Sequence, residues 1–535
     1  MLTQLEPALN TRKFSVLSPV VRVLPADLET PVSVYLKLAG QSPSFLLESV
    51  TGGESLARFS FIGVNPRAAY VLRGGELEVH SAGKKVIQTV ADGDPLSALR
   101  KELDLCACTP LPGLPPFSGG LVGYLGYEMM RFFEPSIPLQ PHPYLPDALF
   151  LLADTLVAFD HAFSRLLLIA RPRPAAREEE ARAEAGARLD AVQKHLDSPL
   201  PSMRVQVSPP SDAPLQSNLT PAAFMDAVSR AKEHITAGDI YQVVLSQSLS
   251  RRTTASPFSI YRALRSLNPS PYMFFFDFGD LLGAPGVQLI GASPEMHVRL
   301  EGRRAAMRPI AGTRPRSALP ETDKALEKEL LADPKERAEH IMLVDLARND
   351  LGRVCDFGSV RLSEQMVIER YSHVMHIVSH VEGSLRPGLD AFDLMKATFP
   401  AGTVSGAPKI RAMQLIHQLE KNPRGVYAGA VGYFTPEGSM DTCIAIRTLL
   451  MQGDTVHVQA GCGIVADSEP PTEYQESLNK ARALAVAVEM AERRPEYACP
   501  PLRRSNKEDS LRDAMKDPQI NLGVHHGNSQ RTIKR

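Results

Sequence analysis

The stretch Asp333-Pro-Lys-Glu-Arg-Ala-Glu-His-Ile-Met-Leu-Val-Asp-Leu-Ala-Arg-Asn-Asp-Leu-Gly-Arg353 decides most about this chain. It reads as a helix that buries Ile341, Val344, Ala347 and Leu351, with Glu336 and Glu339 three apart on one face. A second such pair, Glu473 and Glu476, lies far along the chain in Glu469-Pro-Pro-Thr-Glu-Tyr-Gln-Glu-Ser-Leu-Asn-Lys480. By itself a Glu-x-x-Glu pair is an ordinary solvated helix face. Two such pairs facing each other make a hard-oxygen site suited to Mg²⁺, which takes few carboxylates and keeps waters for substrate oxygens.

Outward from these helices, the chain divides by pattern. Residues 15–170 read as strand-rich, with short apolar runs at Phe45–Val50, Ala69–Leu72, Leu149–Ala153 and Leu166–Ala170. Phe117-Ser-Gly-Gly-Leu-Val-Gly-Tyr-Leu-Gly-Tyr127 reads as a strand whose backbone another element approaches closely. Residues 171–217 hold an exposed Ala/Arg/Glu-rich helix and a Pro/Ser-rich linker. In 218–492, Thr220 caps a helix with Pro221 at its first position and a stripe of Phe224, Ala227, Val228, Ala231 and Ile235. Residues 493–535 are polar and read as a mobile tail.

The 535 residues suffice for two domains or one composite core. Fifty-nine Lys and Arg against 60 Asp and Glu leave a net charge of −1, which argues against nucleic acid or a membrane as a partner held by bulk charge. The N-terminus has no basic-then-apolar signal pattern, and no apolar run reaches spanning length. The six cysteines are sparse and mostly in apolar contexts, so free thiols in a reducing, cytoplasmic setting are expected.

Several further segments accompany the acidic helices: Gly238–Ser246, Gly291-Ala-Ser-Pro-Glu295, Arg308-Pro-Ile-Ala-Gly-Thr-Arg-Pro-Arg316, Phe399-Pro-Ala-Gly-Thr-Val-Ser-Gly-Ala-Pro-Lys409 and Gly461-Cys-Gly463. Together they resemble the chorismate-utilising enzymes, and among them the large subunits of anthranilate synthases. The resemblance implies an α+β chorismate-binding fold of two packed antiparallel β-sheets with peripheral helices.

The same resemblance implies roles for particular residues. Mg²⁺ would sit on Glu339 and Glu476, supported by Glu336 and Glu473. Arg447 would pair with a substrate carboxylate, a task that suits its planar fork. Gly312, Thr313, Tyr427, Gly461, Cys462 and Gly463 would complete the substrate pocket, and close backbone approach accounts for the glycines. Glu295 would be the general acid that protonates the departing 4-hydroxyl, which near neutral pH needs a raised pKa. His376 matches a histidine linked to loss of pyruvate.

Gln242 stands where water-using relatives carry a lysine base. A neutral amide cannot deprotonate water, so ammonia is the expected nucleophile. Ala311 stands where many aminodeoxychorismate synthases carry a nucleophilic lysine, which argues against that related activity. No cysteine sits in a glutaminase context, so a partner glutamine amidotransferase subunit, and hence a hetero-oligomer, is implied. Ser49 and the Pro271-Tyr272-Met273 run resemble segments that bind feedback-inhibiting L-tryptophan. A catalytically silent tryptophan-binding subunit is the alternative of another class, and it would predict erosion of acidic positions that are all present here.

Overall fold

Strands with apolar residues at consecutive positions need cover on both faces. In Arg165–Ala170, Leu166, Leu168 and Ala170 enter one core while Leu167 and Ile169 enter another. Tyr272–Asp277 does the same, with Met273 and Phe275 on one side and Phe274 and Phe276 on the other. The core shared by Phe274, Leu167, Val122, Leu149 and Val431 lies between two sheets. The outer core holding Met273, Phe275 and Leu168 lies under helices Pro31–Leu38, Glu178–Leu196, Pro257–Leu267 and Pro470–Arg493.

This computed structural model describes residues 17–493 apart from 41–42, 51–57, 91–92, 202–213 and 372–373. Its two sheets have twelve strands each among the described residues. The first runs, in spatial order, Val20–Pro25, Arg165–Ala170, Thr155–Asp160, Phe59–Val64, Ser44–Glu48, Tyr272–Asp277, Val287–Ser293, Thr448–Gln452, Thr455–Ile464, Gln242–Arg252 and Gln216–Ser217, with Gly406–Ala407 also on Gln242–Arg252. The second runs Ile310–Pro315, Val374–Ser384, Arg304–Met307, Met296–Glu301, Met440–Ile444, Ala430–Phe434, Gly120–Leu125, Ala148–Ala153, Ala68–Arg73, Glu76–Ser81 and Lys84–Thr89, with Arg361–Arg370 also on Val374–Ser384. The ladders are antiparallel. The segments before and after residue 217 both contribute to both sheets, so they share one sandwich.

A third core, with Phe150, Leu300, Val344 and Phe392, lies between the second sheet and helices Pro95–Asp104, Pro334–Gly352 and Ala391–Thr398. It continues round the rim, where Pro221–Thr236 and Lys409–Leu419 meet Val243 and Leu245 of the first sheet. The expected α+β sandwich with peripheral helices is thus observed.

The expected cap at Thr220 is observed, and Asp333 caps a second helix in the same way. Thr220 Oγ1 accepts Ala223 N at 3.2 Å, with Pro221 following. Asp333 Oδ1 accepts Lys335 N and Glu336 N at 3.0 and 3.3 Å and starts Pro334–Gly352.

Two expectations fail. Ile341 is 47% exposed, and the buried stripe runs through His340, Leu343, Val344, Ala347 and Leu351 instead. His340 takes the inward position because its Nε2 finds Ser379 Oγ at 2.6 Å. Helix Glu178–Leu196 is not wholly exposed: Ala181, Ala185, Leu189 and Leu196 are buried, mostly small residues that let it lie close on the first sheet. Most of the expected linker and the whole 494–535 tail lie outside the described residues.

Candidate functional site

Two crossings between the sheets build the centre of the site. Val287–Ser293 belongs to the first sheet and Met296–Glu301 to the second, so Pro294 and Glu295 lie on the step between them. Met440–Ile444 steps back through Ala445, Ile446 and Arg447 to Thr448–Gln452. Arg447 has φ 51°, a left-handed backbone that costs a non-glycine residue roughly 1 kcal/mol or more.

Beside the crossings lies a cavity of about 640 Å³. Helix Pro334–Gly352 sends Glu336 and Glu339 into it, and helix Pro470–Arg493 sends Glu473 and Glu476. The four glutamates singled out in the sequence therefore meet in one space. Each of three has its own partner: Arg314 Nη1 donates to Glu336 Oε1 at 3.1 Å, Gln242 Nε2 to Glu339 Oε1 at 3.3 Å, and Lys480 Nζ to Glu476 Oε1 at 2.7 Å. Among the described residues no group of three or more His, Cys, Asp or Glu side chains is gathered closely enough to hold a metal ion. Burial and then the neighbouring Glu336 raise the Glu339 pKa, against the Gln242 hydrogen bond and the lysines Lys335 and Lys480.

Glu295 also lines the cavity. Burial pushes its carboxyl up to about 8, opposed by the Thr403 hydroxyl and the Lys480 ammonium. It is therefore a neutral acid at pH 7. Arg447 faces the same space and makes no ion pair among the described residues. Its Nη1 donates to Lys480 O at 2.5 Å. A half-buried guanidinium with no carboxylate bonded to it gains from an anion that meets it.

The remaining wall comes from both sheets. Gly312 has φ 71° and sits where the pairing of Ile310–Pro315 with Val374–Ser384 slips between Ala311 and Thr313. Gly312, Thr313, Tyr427, Gly461, Cys462 and Gly463 all line the cavity. The reason for Gly463 differs from the expected one: a Cβ there would stand 2.5 Å from Gln242 Nε2, so the glycine makes room for that amide. The Cys462 thiol is buried, bonds Glu473 O at 3.3 Å, and is pushed well above the usual thiol range by burial. It is no nucleophile.

His376 does not line the cavity. It stands next to the lining residue Thr313, with which it pairs across the ladder, its Nδ1 3.0 Å from both Gly312 O and Thr313 Oγ1. Since Gly312 O can only accept, Nδ1 carries the proton, and burial lowers the ring's pKa, so it is neutral. Lys335, Lys480 and Thr403 line the cavity without having been given roles from sequence. The i, i+4 spacing of Glu476 and Lys480 was a readable signal for one of them.

A second cavity, about 430 Å³, opens between the sheets. Ser49, Pro271, Tyr272 and Met273 all line it, as do Arg58 and Phe59. The second sheet adds Arg299 and Asp441, which sequence reasoning missed. Arg299 Nη2 donates to Asp441 Oδ2 at 2.7 Å, and Tyr272 OH donates to Asp441 Oδ1 at 3.0 Å.

Comparison with known proteins agrees with this geometry. Residues 42–486 match the chorismate binding enzyme family. The chain is 49% identical over 473 residues to anthranilate synthase component 1 of Pseudomonas putida, covering 87% of this chain and 94% of that one. It is 47% identical over 479 residues to the same component of Thermus thermophilus, covering 89% and 98%. The crystal structure of anthranilate synthase component I from Streptococcus pneumoniae superposes with TM-score 0.70 at 38% identity, covering 86% of this chain and 99% of that one. The menaquinone-specific isochorismate synthase of Escherichia coli shares the fold, with TM-score 0.66 at 17% identity. With its crossings, paired glutamates and buried acid in place, the chain belongs to the chorismate-binding enzymes, within their anthranilate synthase component 1 branch.

Proposed function

We propose that this chain converts chorismate and ammonia to anthranilate and pyruvate in a Mg²⁺-dependent reaction, the committing step of tryptophan synthesis in the cytoplasm. What carries the reading is the convergence on one cavity of a neutral buried acid, Glu295, an unpaired arginine, Arg447, and two glutamate pairs. Arg447 binds one substrate carboxylate. Glu339 and Glu476 would hold Mg²⁺, with Glu336 and Glu473 in support. The donor set fits: these are hard oxygen ligands, and Glu336 and Glu339 repel each other, which a cation would relieve. The bound ion supplies countercharge for the substrate's ring carboxylate.

Glu295 then gives its proton to the departing 4-hydroxyl. Gln242 Nε2 is taken by Glu339, and its buried Oε1 has no hydrogen-bond partner. That acceptor suits an N–H of ammonia, whereas it could not serve as a base toward water. His376 acts from beside the cavity, holding the Gly312 carbonyl and Thr313 in place.

Ammonia comes from a partner glutamine amidotransferase subunit. The component 1 designation of the relatives supports a second component. L-Tryptophan, the end product, inhibits by occupying the cavity lined by Ser49 and Pro271–Met273. The structure has no helix long and apolar enough to cross a membrane among the described residues.

The test is anthranilate fluorescence from the purified chain with chorismate and an ammonium salt at high pH. Signal that needs Mg²⁺ and falls with tryptophan is expected. Loss of chorismate without fluorescence would mean an aminodeoxychorismate or isochorismate product.

A further inference from the structure

Lys409 and Asp350 form an ion pair that is buried at both ends. Lys409 Nζ donates to Asp350 Oδ2 at 2.7 Å, and the two side chains are 8% and 6% exposed. Neither residue lines the active cavity. A buried pair rarely adds stability over apolar groups of the same size, because both charges must leave water, and its best use is to fix one geometry.

The same ammonium donates to Thr398 O at 3.0 Å. Thr398 ends helix Ala391–Thr398, and Lys409 begins helix Lys409–Leu419. Residues 399–408 are therefore a loop whose two ends are tied by one nitrogen to each other and to helix Pro334–Gly352. Within the loop, Ser405 Oγ donates to Ala401 O at 2.9 Å. Its middle lies hard on the helix: a Cβ on Gly402 would stand 1.8 Å from Leu346 Cδ2. Leu343, Leu346, Ala347 and Asp350 share one helix face. With Gly402, Thr403 and Glu295 they enclose a space of about 20 Å³, no larger than one water.

The loop's other side reaches the reacting groups. Thr403 and Val404 line the active cavity, and the Thr403 hydroxyl counters the effect of burial on the Glu295 carboxyl. Tyr241 N donates to Ala407 O at 2.7 Å and Val244 N to Ser405 O at 3.0 Å, on either side of Gln242. One loop thus stands against the acid and against the strand that carries the cavity's amide.

We propose that Lys409 and Asp350 are positioning residues for the reaction: their ion pair closes the neck of loop 399–408 and so holds Thr403 against Glu295. The proposal rests on the reading of Glu295 as the proton donor.

The test uses the full chain with an ammonium salt and the paired variant Asp350→Leu/Lys409→Met, which leaves no lone buried charge. Thr398 O keeps His297 Nε2 as a donor at 3.3 Å. The melting temperature should stay at or above that of wild type. The kcat should fall at least about tenfold with the KM for chorismate within about twofold, because Arg447 and the glutamate pairs lie off the loop. A merely structural pair would act alike in any background. In a Thr403→Val background the paired substitution should instead lower kcat by less than about twofold more. Wild-type kcat in the paired variant overturns the proposal, and so does a full tenfold loss in the Thr403→Val background. Should the paired variant not fold, Gly402→Ala lifts the loop with both charges in place. Its kcat should fall, and adding Leu346→Ala, which removes the obstructing carbons, should restore it. No fall, or a fall that is not restored, overturns the proposal. Failure of the functional reading looks different: Glu295→Gln would keep the wild-type rate.

Discussion

Glu295 and Arg447 sit on neighbouring crossings that hydrogen-bond each other: Ile444 N donates to Glu295 O at 3.0 Å, and Ala292 N donates to Arg447 O at 3.1 Å. Ser293 Oγ adds a bond to Ile444 O at 2.7 Å. The proton donor and the carboxylate anchor are therefore held by one small backbone lattice. The same strands run on to the cavity between the sheets, where Tyr272 pairs in register with Ser293 and Asp441 lies on Met440–Ile444.

Glu295→Gln is expected to lower kcat by about 10²–10⁴-fold while chorismate still binds, since the amide keeps the shape and loses the proton. A pH signature accompanies it. The folded carboxyl titrates near 8, against an ordinary value of 4.5. Between these values the native chain holds a proton that the unfolded chain has lost, so this group's contribution is fully present below pH 4.5 and falls away as pH rises to about 8. Melting temperatures across that range should fall less steeply for the variant than for wild type.

Glu339→Gln and Glu476→Gln should each raise the Mg²⁺ concentration needed for half-maximal rate, or abolish turnover, with the circular dichroism spectrum unchanged. Both side chains are partly solvated and hold no part of the core. Rates measured over a Mg²⁺ series check this, and normal turnover at low Mg²⁺ in either variant would remove the metal assignment.

Tyr272→Phe deletes the hydrogen bond to Asp441 in the cavity between the sheets and leaves Arg299 to hold that carboxylate. Calorimetry should find tryptophan binding weakened by about tenfold, the equivalent of one lost hydrogen bond, with the uninhibited rate preserved.

Two glycine substitutions should move stability in opposite directions. A Cβ on Gly123 would lie 2.0 Å from Leu149 O across the ladder, so Gly123→Ala must push two central strands apart and cost about 3 kcal/mol or more. Gly186, in helix Glu178–Leu196, has nothing within 4 Å of the added carbon, so Gly186→Ala should gain about 0.5–1 kcal/mol. Urea denaturation of both variants measures the two signs.

Local chemistry is what the sequence by itself determined. Asp333 and Thr220 cap their helices because cap, proline and stripe lie within a few residues of one another. The 3.6-residue period puts Glu336 beside Glu339 whatever the rest of the fold does. The motif segments gave Glu295, Arg447 and the glutamate pairs, and the resemblance of their order gave the family.

Only the tertiary structure decided which of these meet. Strands with a continuous apolar run carry no mark of which face belongs to which core, so Arg165–Ala170 and Tyr272–Asp277 acquire their two sides from the sandwich. His340 displaces Ile341 from the interior because Ser379 waits there. His376 stands beside the cavity, on the same face as its register partner Thr313, whose side chain comes between it and the lining. Arg299 and Asp441 join Tyr272 through contacts between residues far apart in the chain. Periodicity reads only near neighbours in the chain; pairing across the sheets, which raises the Glu295 pKa and leaves Arg447 without a counter-ion, is a property of the packed whole.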